Sequence, residues 1–388
     1  MAKVLFICPV PPRPSDNGLA MRASVSLEGL HRSHHTSVAV VGGDGRSAGW
    51  ARGNSSGVLE LAVDGSRAAA LSWLSTARGR DAAAAGLPDL VRQRPPVIGD
   101  RIAEAFGSSF DAMLVMRVGL AGVALPFLEA GIPALLDADD DDASALRSMG
   151  AFDPARAARA ASYESFQRVV LPWFDHVLFA SPRDAVPPNI HLPNAIRIPP
   201  TWTTRTGGAP LELLFVGTSG YGPNRDAMRR LRDRIMPAIA ARGLEARLHH
   251  PGLGVDLEPY YRRAHIAVVP LRSGGGTRIK ILEAFAHGCP VVTTPTGAQG
   301  LAVSDDRHLV VTPADDDDDA FADAVVSLAS DDDRRTRLAA AARRLVSERH
   351  ERAAVGNQLA GLIDEIAKPR LLSPAPAADS DHDAPTKR

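Results

Sequence analysis

The residues best equipped for chemistry stand between positions 271 and 300. A triple glycine, Gly274–Gly276, leads into Thr277, Arg278, Lys280 and Glu283. Glycine lets a ligand phosphate approach the backbone closely. Thr277 is placed to cap a helix beginning there, and a helix N-terminus offers N–H groups with no intrahelical partner. Arg278 and Lys280 fall in the first turn, where the helix dipole disfavours cations. An anionic ligand explains them better than helix stability does. Glu283 follows about one and a half turns later. Its carboxylate can accept two hydrogen bonds from a vicinal diol such as a ribose. The next apolar run, Pro290–Thr294, ends in a second loop, Pro295–Gly300. Two such loops at neighbouring strand carboxyl ends are where open α/β sheets bind nucleotides.

A weaker design of the same kind opens the chain. Val4–Cys8 reads as a strand, Pro9–Gly18 as a Pro-rich loop, and Leu19–His31 as a helix. Asn17 and Gly18 precede that helix, and Arg22 falls in its first turn. Strand, glycine turn and helix N-terminus make a generic anion site, but the loop is not G-x-G-x-x-G. Arg22 either adds a charge to a cleft or lies on the surface. Asp139–Asp142 and Asp315–Asp319 read as solvated charge runs. No ligand spacing supports a metal at the first.

The elements that must carry these loops alternate strand and helix. Val4–Cys8, Thr36–Val41, Val58–Val63, Ala112–Val118, Pro133–Asp137 and His176–Ala180 are apolar on both faces, as buried parallel strands are. Helix candidates such as Leu120–Ala130 lie between them. A connector, His191–Pro210, follows, and the rhythm restarts with Leu211–Val216, Glu245–His249, His265–Leu271, Pro290–Thr294 and His308–Thr312 as strands. Asn224–Ala241, Asp256–Ala264, Thr277–His287 and Ala320–Ser330 read as the helices between them. This is α/β architecture in two tandem units. The expected boundaries are 1–198, 199–370 and a disordered tail, 371–388. Arg334–Ala367 is expected to be mostly helix. The stretches 42–54 and 70–99 read as uninformative loops.

Composition narrows the function classes. The chain has 388 residues and a net charge of −1, without the basic excess of a nucleic-acid binder. No apolar run reaches the ~20 residues of a membrane span, and Val4–Ile7 is short for a signal-peptide core. Two distant cysteines, Cys8 and Cys289, make no disulfide framework, so a cytoplasmic setting is expected. The high count of glycine and proline (33 and 30) fits many sharp turns.

The block Gly274–Pro290, with Pro-Val-Val-x-Thr after it, resembles the donor-binding region of retaining glycosyltransferases of the GT-B fold, in particular those like glycosyltransferase family 4. Leu211–Gly217, with Tyr221-Gly-Pro-Asn224 after it, is similar to the start of that family's second domain. Val4–Pro9 with Asn17, Gly18 and Arg22, Pro133–Asp139 and Leu192–Asn194 resemble elements of its first domain.

The resemblance implies two Rossmann-like domains facing across a cleft. It implies transfer of a sugar from a UDP-, GDP- or dTDP-sugar to the hydroxyl of a sugar, lipid-linked or small-molecule acceptor, with retention and without a required cofactor or metal. It assigns Glu283 to the catalytic site; many relatives also carry an Arg/Lys pair on the loop after the second domain's first strand, which here runs Gly217–Asn224 without one, so Arg278 and Lys280 are expected to supply that catalytic charge. Gly217, Tyr221, Asn224, Gly274, Gly275, Gly276, Thr277 and Gly297 go to the donor nucleotide. Asn17, Gly18, Arg22, Arg117 and Asp137 line the cleft from the first domain. Glu283 falls on the ribose. Many relatives carry a second glutamate eight positions earlier, where this chain has Gly275. Association with the inner face of a membrane is compatible with the family. Two alternatives stand beside it: an inactive GT-B subunit that serves as a partner, and a nucleotide-sugar epimerase. A Rossmann oxidoreductase lacks its glycine fingerprint here.

Overall fold

The structure, a computed structural model, describes residues 1–14, 17–43, 48–149, 154–252 and 254–368. The expectation of a disordered tail at 371–388 lies outside the described residues.

Two fully parallel sheets organise the chain. The first contains β1 (Lys3–Cys8), β2 (His35–Val41), β3 (Gly57–Leu61), β4 (Ala112–Met116), β5 (Ala134–Asp139), β6 (His176–Phe179) and β7 (Ile190–His191), in the order β3-β2-β1-β4-β5-β6-β7. The second contains β8 (Leu211–Leu214), β9 (Ala246–His249), β10 (Ile266–Val269), β11 (Val291–Thr293) and β12 (Val310–Val311), in the order β12-β11-β10-β8-β9. β1 shows why these runs become central strands. Leu5 and Ile7 enter the core on one face of the sheet, and Val4, Phe6 and Cys8 that on the other. With both faces covered by helices, every position is apolar. Each such large side chain contributes roughly 1.5–3 kcal/mol on burial.

Helix α1 (Gly18–Ser33) follows β1. Its cap is Asn17, whose side chain accepts the Ala20 N–H at 3.1 Å. Two helices that the sequence pattern did not reveal, α2 (Asp142–Met149) and α3 (Pro154–Val170), follow β5. In α3, Ala160, Tyr163, Phe166 and Val170 form the buried stripe.

The second unit opens with α4 (Gly222–Arg230) after β8, and α5 (Ile279–Ala286) follows β10. The C-terminal segment is mostly helix, as expected, in two pieces, α6 (Asp332–Arg349) and α7 (Arg352–Ile366), broken at His350. The break is where the chain crosses back. The Ile196 N–H donates to the His350 carbonyl at 2.9 Å, and His350 Nδ1 lies 2.6 Å from the Asn194 carbonyl. Both crossings are thus tied at one place. α7 then packs on α1 so closely that a Cβ on Gly29 would lie 2.5 Å from the Gly356 carbonyl oxygen. Among the described residues no helix is long and apolar enough to cross a membrane.

Candidate functional site

In each sheet the strand order reverses at one point. β1 has β2 on one side and β4 on the other; β8 has β9 on one side and β10 on the other. The loops that leave such a pair diverge and open a crevice at the strand carboxyl ends. The loops after β1 and β4 carry Asn17, Gly18 and Arg117. Those after β8 and β10 carry Gly217, Tyr221 and residues 274–278. The crevices face each other: a Cβ on Gly18, at the start of α1, would lie 2.6 Å from Ile279 Cδ1, at the start of α5.

The glycine loop is held from within. Arg278 is the residue before α5 and only 5% exposed. Its guanidinium donates to the carbonyls of Gly274 at 2.9 Å, Gly276 at 3.1 Å and Thr296 at 3.2 Å, and also to that of Gly275. Gly274 and Gly276 hold φ of +117° and +76°, a region that side chains disfavour. Arg278 therefore does not display its fork to the crevice, as expected from a first-turn cation; it clamps four carbonyls and shapes the loop. Burial lowers its pKa. Thr277 does not cap α5. Its hydroxyl donates to the Ala180 carbonyl at 3.3 Å, a bond between the two units.

Lys280, on α5, donates to Asn224 Oδ1 at 2.7 Å and lies 4.5 Å from the centre of the Phe215 ring. Asn224 in turn donates to the Thr218 carbonyl at 3.0 Å, beside Gly217. Among the described residues no carboxylate pairs with Lys280 or Arg278. Burial, and then Arg278, push the Lys280 ammonium down to about 7. Glu283 accepts the Tyr261 hydroxyl at 3.3 Å, and burial raises its carboxyl to about 7. The Tyr221 hydroxyl stands against Gly274. Gly297 follows β11 in a turn with no room for a side chain: its Cβ would lie 2.0 Å from Thr293 Oγ1.

The first unit's candidates form a buried ionic network instead of a free surface. Arg22, 4% exposed, donates to Asp137 through Nε at 2.8 Å and Nη2 at 2.7 Å. It also donates to Asn194 Oδ1 and the Leu192 carbonyl, each at 3.1 Å. It is neither a surface arginine nor a charge offered to the cleft. Arg117 follows β4 with φ +76° and pairs with Asp139 at 3.2 Å, Asp140 at 3.7 Å and Asp142. Asp139–Asp142 is thus no solvated run. In the second run, Asp315 accepts the Thr296 N–H and hydroxyl, and Asp318 pairs with Arg230. Among the described residues no group of three or more His, Cys, Asp or Glu could hold a metal ion.

Two cavities open where α2 meets the glycine loop. One, of about 250 Å³, touches Arg117, Asp140, Tyr163, Tyr221 and Gly275; the other, of about 350 Å³, touches Ser181, Gly274, Gly276 and Arg278.

Residues 199–331 match the family of group 1 glycosyl transferases. The match supports a glycosyltransferase enzyme. Sucrose-phosphate synthase of Thermosynechococcus elongatus superposes with a TM-score of 0.64 at 15% identity, over 94% of this chain and 99% of that one. HepE of Anabaena, solved with UDP and glucose, gives 0.63 at 13% identity, over 94% and 100%. A glycosyltransferase from Rickettsia africae gives 0.59 at 11%, over 95% and 99%. No curated protein matches. At these identities the structural likeness shows the fold, two Rossmann-like units facing across a cleft in the GT-B manner.

Asp140, read from the sequence as part of a solvated charge run, and Tyr261 also stand at this site. Asp140 carried one signal, its place directly after a buried strand. Tyr261 carried none.

Proposed function

We propose that the chain transfers a sugar from a nucleotide-sugar to an acceptor hydroxyl, with retention of configuration and with no resident metal. The observation that carries this is Lys280, held beside the glycine loop at the second sheet's switch point by Asn224 and the Phe215 ring, with no carboxylate in direct contact. Glu283 offsets its charge only through space, and a diphosphate would supply a counter-ion in direct contact. The leaving nucleoside diphosphate gains negative charge as the glycosidic bond breaks. Lys280 stabilises that charge, so a metal has no missing role to fill there. Arg278 serves by holding the loop carbonyls back, and Glu283 receives the ribose hydroxyls. Gly217, Tyr221, Asn224, Thr277 and Gly297 build the nucleotide's walls. The structures of HepE with UDP and with UDP-glucose make a UDP-sugar the first donor to try.

We also propose that the two units move as 1–198, together with the final helix, and 199–350, with the crossings at Ile196 and His350 as the hinge. Acceptor selection belongs to the first unit. A cytoplasmic site of action follows from a nucleotide-sugar donor.

The test is a thermal-shift screen of UDP-, GDP-, dTDP- and ADP-sugars, followed by assay of nucleoside diphosphate release. A donor at 100 times its dissociation constant adds ~2.7 kcal/mol of stability. Silence from all four would overturn the reading in favour of a binding subunit.

A further inference from the structure

Asp140 stands where the first unit meets the glycine loop. β5 ends at Asp139, with φ +64°, and the Asp140 N–H donates back to the Ala138 carbonyl at 2.8 Å. This tight turn sets the Asp140 side chain against the loop of the other unit. A Cβ placed on Gly276 would lie 2.5 Å from Asp140 Oδ2. One on Gly275 would lie 2.4 Å from the Cβ of Ala145, on α2. Neither position can carry a side chain while the units are in this contact. Positions 275 and 276 therefore supply no carboxylate of their own, and Asp140 brings one from across the cleft.

The two oxygens of Asp140 differ. Oδ2 is 3.7 Å from the Arg117 guanidinium. Oδ1 is buried and, among the described residues, has no hydrogen-bond partner. A buried acceptor left unfilled is unfavourable and calls for a donor. The side chain lines the cavity of about 250 Å³ together with Arg117, Tyr163, Tyr221 and Gly275. Burial, with Asp139 and Asp142 close by, pushes its carboxyl up to about 7. A phosphate would meet this carboxylate as a like charge. A second cation would compete with Arg117. An uncharged hydroxyl satisfies Oδ1 with neither penalty.

We propose that Asp140 accepts a hydrogen bond from a hydroxyl of the donor's sugar, so that a carboxylate of the first unit reads the sugar held on the second. The proposal rests on the cleft being a nucleotide-sugar site. The sugar is joined to the diphosphate, so a carboxylate lying on the glycine loop meets the donor's ring before it meets an acceptor.

The test compares a nucleotide-sugar with its bare nucleoside diphosphate on the full chain. Calorimetry is run with whichever of UDP-glucose, GDP-mannose, dTDP-glucose and ADP-glucose the wild type binds, and with the matching UDP, GDP, dTDP or ADP. Asp140→Ala is expected to weaken the nucleotide-sugar at least about tenfold and to leave the nucleoside diphosphate unchanged. Asp140→Asn, which keeps the shape and one acceptor oxygen, should fall between; it also serves should the alanine variant fail to fold. Equal weakening of both ligands, no change in either, or tighter binding of both would overturn the assignment. The last outcome would mark Asp140 as a repelling group. If the wild type binds none of these four sugars, the donor-site reading falls first and this one with it.

Discussion

At the strand ends of the first unit, Arg22 and Arg117 face four carboxylates, Asp137, Asp139, Asp140 and Asp142. At the glycine loop of the second, Arg278 and Lys280 face carbonyls, an amide and an aromatic ring. Arg22 and Arg278 are buried, Arg117 and Lys280 half-buried. The first pair is matched internally, so its charges serve the framework. The second pair has no carboxylate in direct contact; Arg278 is spent on the loop carbonyls, and the charge of Lys280 remains available to an anion. A buried cation's function is thus read from what already neutralises it.

The largest expected effect breaks the matched side. Arg22→Ala strands the Asp137 carboxylate in the core and should cost about 3–5 kcal/mol of stability, measured by urea unfolding. Arg22→Met combined with Asp137→Leu should recover most of that loss, because an apolar pair needs no counter-ion. A single variant as stable as wild type would erase the contrast.

The next effect concerns the loop clamp. Arg278→Ala should lower turnover at least ~100-fold, read as nucleoside diphosphate release. Arg278→Lys should fare no better, since a lone ammonium cannot hold four carbonyls in the fork's plane. A fully active lysine variant would show that the charge acts directly on the ligand.

The smallest effect is a pH dependence. Lys280, pushed down to about 7 by burial, loses its proton as pH rises through that value. Nucleotide affinity should then weaken toward ~tenfold per pH unit. Glu283, raised to about 7, loses its charge as pH falls, so affinity should peak near neutrality. Without ligand, the folded pKa of Lys280 lies below the unfolded one. The unfolded chain therefore binds more protons between the two values, and stability rises with pH across that window. Lys280→Met should flatten the alkaline limb of binding and raise the melting temperature of the free protein. An unchanged limb would remove Lys280 from the anion site.

Much of the fold was legible because burial on both faces leaves continuous apolar runs. β1, β2, β4 and β6 lie within a residue or two of their expected bounds. β10 is shorter than the run His265–Leu271, since its register with β11 spans only three residues. The stretch 70–99 reads as a loop, yet residues 67–106 fold into short helices around Trp73, which is fully buried. Up to residue 92 the alanine- and arginine-rich composition shows little helical period, whereas Val97–Phe106 buries Ile98 and Ile102 one turn apart. The order comes from packing, as where a Cβ on Gly122 would lie 2.3 Å from the Trp73 ring. Of the site, the glycine loop and its cations were visible as neighbours in sequence. Asp140 was not, because the loop it meets lies 136 positions away.

The amino-acid sequence by itself determined the α/β rhythm, the place of the glycine loop and the residue types around it. These depend on local periodicity and on backbone freedom, which neighbouring residues set. Only the tertiary structure decided which charges are neutralised. Arg22 reaches Asp137 across 115 positions and Lys280 reaches Asn224 across 56. Desolvation and ion pairing act through space, so the same arginine or lysine becomes framework or binding site according to what the fold sets beside it.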